Sequence, residues 1–131
     1  MGYSLLIVDD SSIIRKSLTK ALSLSGLEIE RVLEAANGRE ALELVGRERV
    51  DLIFLDINMP EMNGVEFLRA VRARENLCGI PVLVISTEGS KLRFAELEAL
   101  GIQGILRKPV RPEALAETVG KLLSGGTDGT R

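Results

Sequence analysis

The chain has 131 residues, which is enough for one domain to bury a full core without disulfides or a structural metal. Its composition, 45% hydrophobic and 27% charged, is too apolar for a disordered chain, and the apolar runs are too interrupted for a membrane span. The absence of histidine and the single cysteine, Cys78, exclude zinc sites, internal disulfides and Ser-His or Cys-His triads, while a formal charge of -2 argues against direct binding of nucleic acid.

Strand-like and helix-like segments alternate along the whole chain. The strand-like segments are short apolar runs, and all but the second are too continuous for a half-exposed strand, which predicts burial on both faces. The second segment alternates apolar and charged residues, as is typical of a strand nearer the sheet edge. In chain order, the predicted strands cover residues 5–8, 29–33, 52–55, 82–85 and 105–106.

A helix is predicted after each strand, because apolar residues recur there at helical spacing. Asn37-Gly38 and Asn63-Gly64 are interpreted as backbone turns before the second and third helices, with glycine chosen for a positive φ. Pro112 is expected in the first turn of the last helix. In chain order, the apolar stripes are Ile14-Leu18-Leu22, Ala41-Leu42-Val45, Leu68-Val71, Phe94-Leu97-Leu100 and Leu115-Val119-Leu123.

Strand-helix units of this length favour an α/β fold with a doubly wound parallel sheet and helices on both faces, since right-handed crossovers return each helix to the sheet. The domain is predicted to span residues 1–123. Residues 124–131 offer almost no apolar surface and are expected to form a flexible tail. Because the chain opens without a positively charged, apolar leader, the expected compartment is the cytoplasm.

Polar side chains follow or end four of the predicted strands. The carboxyl ends of parallel strands lie along one edge of the sheet, where ligands bind in open α/β folds. Asp9 and Asp10 follow the first strand and Asp56 the third, while Ser86 and Lys108 lie at the ends of the fourth and fifth. The sequence therefore predicts that three carboxylates, a hydroxyl and an amine meet at this edge.

Three carboxylates in one place repel one another unless their pKa values rise or a divalent cation neutralises them. Oxygen ligands without a soft ligand favour magnesium, which is often held by one or two carboxylates together with phosphate oxygens. An aspartate beside such an ion can attack phosphorus, and a lysine can offset charge on the transferring oxygens. The pattern predicts phosphoryl transfer to one of these aspartates, supported by Lys108 and the Ser86 hydroxyl.

The sequence resembles the receiver domains of response regulators, in particular the stand-alone, CheY-like regulators of chemotaxis. The similarity covers residues 4 to 123 and rests on Asp9-Asp10, Asp56, Ser86 and Lys108-Pro109. It implies a flavodoxin-like fold with strand order 2-1-3-4-5 and a two-component phosphorylation switch. The implied partners are a histidine kinase or phosphotransfer protein and a downstream protein target. A monomer is expected, with dimerisation on phosphorylation left open.

The resemblance also implies the roles of the acidic residues and the lysine. Asp56 is the phosphoacceptor. Asp10, Asp56 and the backbone carbonyl of Asn58 hold Mg2+, with Asp9 acting mainly through water. Lys108 pairs with the phosphoryl group.

Further implied roles concern switching and loss of the phosphoryl group. Ser86 moves to hydrogen-bond the phosphoryl group, and Asn58 and Glu88 tune how fast water removes it. The sequence departs from the family pattern at Ile105, where an aromatic switch residue is usual, and at Thr87, where a small residue is usual. Propagation of the signal is therefore expected to use aliphatic repacking at Ile105 or a loop shift.

Each residue taken alone has a simpler interpretation. An aspartate or serine can cap the following helix, Lys108 can be a solvated surface charge, and Arg15 is interpreted as part of a solvated helix face. A degenerate receiver that acts as a phosphorylation-independent scaffold stays open, because Ile105 and Thr87 depart from the pattern. An aspartate-dependent phosphatase is disfavoured, since such enzymes usually carry a second aspartate where this chain has Asn58.

Overall fold

The fold is a sheet of five parallel strands with helices on both faces. The computed structural model describes residues 2–59, 61–87 and 91–128, with side chains throughout these ranges except at 91–93 and 124–128. In chain order, the elements are β1 Tyr3–Val8, α1 Ser12–Ser23, β2 Ile29–Ala35, α2 Gly38–Arg47, β3 Leu52–Leu55, α3 Gly64–Ala73, β4 Val82–Ser86, α4 Lys91–Ala99, β5 Gly104–Arg107 and α5 Pro112–Asp128.

The strand order is β2-β1-β3-β4-β5, and all four pairings are parallel, which confirms the predicted fold class and strand order. The alternating strand β2 lies at an edge, as its sequence predicts. The chain moves from β1 to β2 on one side and then to β3 on the other, so the direction of winding changes between β1 and β3. In open α/β sheets, such a switch point creates a crevice at the carboxyl ends of the strands.

Two hydrophobic cores cover the two faces of the sheet. Side chains alternate along β1, so that Leu6 and Val8 pack on one face and Leu5 and Ile7 on the other. The first face is covered by α2, α3 and α4, and the second by α1 and α5. Burial on both faces explains why the central strands are continuously apolar, since each fully buried aliphatic side chain contributes about 1.5–3 kcal/mol.

The two Asn-Gly pairs do not form turns with positive φ, contrary to the prediction. Asn37 and Asn63 are the N-caps of α2 and α3, and each following glycine is the first residue of its helix. Among the described glycines, a positive φ occurs only at Gly26 and Gly101. Close packing selects glycine after both caps, because an added Cβ would lie 2.6 Å and 2.5 Å from neighbouring backbone atoms.

The last helix continues beyond its apolar stripe. The apolar stripe stops at Leu123, whereas the helical backbone extends to Asp128. The domain boundary at residue 123 and the mobility of the tail stay predictions. No helix in the described part of the chain is both long and apolar enough to cross a membrane.

Candidate functional site

Three aspartates meet at the carboxyl ends of β1 and β3. Asp9 and Asp10 follow β1, and Asp56 follows β3, where its backbone N–H donates to the carbonyl of Val8 at 2.9 Å. One carboxylate oxygen from each aspartate lies within 4.8 Å of the other two. Asp9 and Asp56 are buried, while Asp10 is exposed. The structure thus brings together the acidic residues that the sequence placed at one sheet edge.

Lys108 joins this cluster from the end of β5. Its Nζ lies 2.8 Å from Oδ2 of Asp9 and 3.6 Å from Oδ1 of Asp56. The backbone N–H of Lys108 donates to the carbonyl of Ser86 at 3.1 Å, and the Lys108–Pro109 peptide bond is cis. With its side chain only 17% exposed, Lys108 is not a solvated surface charge. One ammonium group therefore pairs with two of the three carboxylates, leaving the cluster acidic.

Asp9 is held by hydrogen bonds on both its backbone and its side chain. Its N–H donates to the carbonyl of Ala35 at 3.1 Å, and its own carbonyl accepts from Nη1 of Arg15 at 2.6 Å. Oδ1 accepts from the N–H of Ser11 at 2.9 Å, while Oδ2 accepts from Lys108. The N-cap of α1 is Ser11, so neither aspartate caps this helix.

Burial and a second carboxylate make Asp56 a weaker acid than usual. Burial raises the pKa of Asp56 from 3.8 to about 6, and the negative charge of Asp9 acts in the same direction. The positive charge of Lys108 and the backbone N–H of Asn58, which lies 3.5 Å from Oδ1 of Asp56, lower the pKa of Asp56 and offset part of this rise. Burial lowers the pKa of Lys108, but hydrogen bonds and charges of Asp9 and Asp56 outweigh it and raise that pKa. The carboxylates thus favour an additional cation at neutral pH.

The remaining predicted site residues lie around this cluster at different depths. Ser86 is fully buried as the last residue of β4. Asn58 is exposed in the loop after β3. Ile105 is half-buried on β5 and packs against the core beneath α2, α3 and α4. Glu88 lies outside the described residues.

Arg15 is the residue that the sequence interpretation missed. Its side chain is 17% exposed, and Nε donates to Oε1 of Glu34 at 2.8 Å while Nη1 donates to the Asp9 carbonyl. The interpretation as a solvated residue is therefore wrong. Helical spacing is the signal that points to it, because Arg15 precedes Leu18 and Leu22 by three and seven positions and flanks the buried stripe of α1.

The donor atoms of the cluster fit magnesium. Asp9, Asp10 and Asp56 offer clustered carboxylate oxygens, and the described cluster contains no sulfur or imidazole ligand. Their negative charge exceeds that of Lys108, so a divalent cation would relieve both the repulsion and the cost of burial. The residues present therefore suit Mg2+.

A doubly wound sheet of order 2-1-3-4-5, with acids and a lysine at its carboxyl edge, defines the class of CheY-like signalling domains. The family model of the response regulator receiver domain matches residues 5–120. This chain therefore belongs to the receiver-domain family of response regulators, which are signalling switches of two-component systems.

Individual relatives agree with this assignment. A chemotaxis protein CheY homolog of Campylobacter jejuni is 36% identical over 124 residues, which are 94% of each protein. Chemotaxis protein CheY1 of Helicobacter pylori is 40% identical over 114 residues, covering 86% of this chain and 90% of that protein. The solved structure of chemotaxis protein CheY4 of Vibrio cholerae has a TM-score of 0.83 at 40% identity, covering 92% of this chain and 98% of that one.

Proposed function

We propose that this chain is a phosphorylation switch in which Asp56 accepts a phosphoryl group from a histidine kinase or phosphotransfer protein. The observation that carries the proposal is the convergence of Asp9, Asp10 and Asp56 within 4.8 Å, with Lys108 Nζ 2.8 Å from Asp9. The phosphorylated form then binds a downstream protein. CheY-type receivers act in this way as a class, and the relatives named as chemotaxis proteins make chemotaxis the proposed process. The proposed compartment is the cytoplasm.

Asp10, Asp56 and the backbone carbonyl of Asn58 would hold Mg2+, with Asp9 acting mainly through water. When bound, this ion offsets negative charge on the transferring phosphoryl oxygens. A carboxylate oxygen of Asp56 forms the new bond to phosphorus as the phosphorus–nitrogen bond of a phosphohistidine donor breaks. Lys108 holds its ammonium group beside Asp56 and pairs with the phosphoryl oxygens. Asp56 is thus the nucleophile, while Mg2+ and Lys108 stabilise the negative charge.

Ser86 and Ile105 are the proposed switch residues. Ser86 hydrogen-bonds the phosphoryl group, and Ile105, on the neighbouring strand, repacks against the core as an aliphatic substitute for an aromatic ring. Asn58 and Glu88 tune attack by water on the phosphoryl group. Asn58→Met is expected to lengthen the phosphoryl lifetime, by about fivefold for the loss of one hydrogen bond to that water. An unchanged lifetime would count against the role of Asn58.

The proposal is tested by incubating the protein with acetyl phosphate and Mg2+ and measuring its intact mass. One added phosphoryl group is expected in the wild type and none in Asp56→Asn. Asp51→Asn is the matched control, because it makes the same change immediately before β3, at the opposite end of the strand that Asp56 follows. This control should be phosphorylated normally.

Two outcomes would overturn the proposal. An adduct that persists in Asp56→Asn would show that another residue is modified. A folded wild type that gains no adduct would favour the alternative, a degenerate receiver that serves as an interaction scaffold without phosphorylation. The departure at Ile105 is the feature that favours this alternative.

A further inference from the structure

The carbonyl of Asp9 lies just beyond the end of the sheet. The N–H of Asp9 donates to Ala35 on β2 at 3.1 Å, but β1 itself ends at Val8. The carbonyl of Asp9 is the next one on the side of β1 that faces β2, and it accepts instead from Nη1 of Arg15 at 2.6 Å. A side chain from α1 thus replaces the strand partner of a buried peptide group.

Arg15 is itself held in place from the other side. Its Nε donates to Oε1 of Glu34 at 2.8 Å, and Glu34 is the last residue but one of β2. The guanidinium is planar, with donors in a fixed fork, so bonding to Glu34 directs Nη1 towards Asp9. The Arg15 side chain is 17% exposed, compared with 40% for Glu34. This arrangement connects α1, the end of β1 and the end of β2.

We infer that Arg15 is a positioning residue for the acidic site, and this inference rests on the proposed function. The Asp9 carbonyl and the Asp10 nitrogen belong to one rigid peptide plane. The Asp9 carboxylate has its own partners in Ser11 and Lys108, whereas Asp10 is exposed. By fixing the plane between the two residues, Arg15 fixes the direction in which Asp10 leaves the backbone.

Geometry and charge give Arg15 opposite effects on cation binding. As a positive charge near three carboxylates, Arg15 opposes the binding of a divalent cation. As the anchor of the Asp9–Asp10 peptide, it favours binding by holding a ligand in place, as outer-shell partners of metal ligands do. Removal of Arg15 therefore strengthens cation binding if only its charge matters, and weakens binding if its positioning dominates.

The experiment compares Mg2+ affinities of the full chain, measured by titration with magnesium chloride and backbone amide NMR. Arg15→Met keeps an apolar stem but removes the charge and the fork, while Arg15→Lys keeps the charge and removes the fork. We expect each variant to bind Mg2+ about tenfold more weakly than the wild type. In the metal-free spectra, the amides of Asp10 and Ser11 should shift in both variants.

Arg31→Met is the matched control. Arg31 also pairs with a glutamate, Glu48, at 2.9 Å and donates to a neutral oxygen, that of Ser4, at 3.0 Å. It lies near the amino end of the sheet, away from the acidic site, because its strand partner is Ser4. This variant removes the same charge and a comparable set of bonds, and its Mg2+ affinity should equal that of the wild type.

The outcomes separate the inference from the proposed function. If the wild type binds Mg2+ and Arg15→Met binds it equally or more tightly, the inference is overturned while the proposed function stands. Full affinity in Arg15→Lys would also overturn it. If the wild type itself binds no Mg2+, both fail. Equal losses of affinity in Arg15→Met and Arg31→Met would indicate general destabilisation and would reject a positioning role.

Discussion

Asp56 is a carboxylate that the fold holds where ionisation is costly. Its side chain is 7% exposed and lies beside Asp9. The ammonium group of Lys108, 3.6 Å away, offsets only part of the cost of burial and of the repulsion by Asp9. A bound cation or a covalent phosphoryl group therefore stabilises Asp56 more than it would stabilise an ordinary surface carboxylate. The burial that suits the proposed role of Asp56 is therefore expected to reduce the stability of the metal-free protein.

Asp56→Asn should stabilise the metal-free protein at neutral pH. The pKa of Asp56 is about 6 in the folded chain, against an ordinary value of 3.8, so the folded state binds this proton more tightly than the unfolded state. The free energy of unfolding therefore falls as the pH rises from about 4 through about 6. After a discount for partial solvation, the variant should be about 1–2 kcal/mol more stable at pH 7.5.

Urea unfolding in the presence of a chelator measures this difference at two pH values. Near pH 4, where the folded wild type has a neutral Asp56, the advantage of the variant should almost vanish. A variant that is less stable than the wild type, or an advantage independent of pH, would contradict the role assigned to buried charge.

The site residues differ in how far the sequence could predict them. Asp9, Asp10, Asp56 and Lys108 were found because strand ends are readable from apolar runs, and parallel strands bring those ends together. Arg15 was not predicted, because its helical spacing indicates only a place beside the buried stripe of α1 and does not record its bond to the Asp9 carbonyl beyond the end of β1. Side chains that recognise backbone rather than other side chains leave little trace in a single sequence.

Among the elements, the connection from β3 to α3 does most to shape the site. At its start, Asp56 is bound to the carbonyl of Val8. At its end, Asn63 and Glu66 form a capping box, and the N–H of Gly64 donates to the carbonyl of Ile57 at 3.2 Å. The loop that carries Asn58 is therefore anchored on both sides.

Gly64→Ala should disturb this connection. The new Cβ would lie 2.5 Å from the Cα of Ile57 and 2.7 Å from the carbonyl oxygen of Asp56, which are backbone atoms that cannot rotate away. The loop must shift, at a cost of about 1–3 kcal/mol in the free energy of unfolding, and Mg2+ binding should weaken with it. Urea unfolding and Mg2+ titration measure the two effects.

Gly79→Ala provides the control for the same substitution. An added Cβ at Gly79 meets no atom within 4 Å, and its φ is not positive. The expected change is a small stabilisation, of about 0.4–1 kcal/mol, with unaltered Mg2+ affinity. Equal behaviour of the two alanine variants would show that the close approach at Gly64 does not constrain the site.

The elements themselves were predictable to different degrees. The central strands were predictable because burial on both faces leaves a continuous apolar run in a short segment, whereas the strand order was implied by the family resemblance. The glycines after Asn37 and Asn63 were misinterpreted, because the close approach that selects them comes from residues on another segment of the chain. The apolar stripe of α5 ends at Leu123, and nothing in the described contacts explains the continuation of its helical backbone to Asp128.

At the scale of the whole molecule, the site joins the two hydrophobic cores. Asp9 follows β1 and Asp56 follows β3, the two strands next to the switch point of the sheet. Residues of both strands pack under α1 and α5 on one face and under α2, α3 and α4 on the other. A ligand bound between these strand ends therefore lies beside two strands that belong to both cores, and its binding should change global stability.

Mg2+ should accordingly raise the thermal unfolding temperature at pH 7.5, and much less at pH 5. At a concentration of about 100 times its Kd, an ion that binds only the folded state stabilises it by about 2.7 kcal/mol. Below the pKa of Asp56, which is about 6, a proton competes with the ion for this carboxylate. Lowering the pH therefore weakens Mg2+ binding, even as protonation relieves the repulsion within the site.

Sodium chloride of equal ionic strength is the control, because general screening acts on all exposed charges and requires no site. Thermal unfolding should show an Mg2+ effect that saturates at pH 7.5, falls steeply between pH 7 and pH 5, and is not reproduced by sodium chloride. A stabilisation as large at pH 5 as at pH 7.5 would mean that the ion binds elsewhere. Asp9, Asp10 and Asp56 would then be an acidic cluster balanced by basic side chains and not by a metal ion.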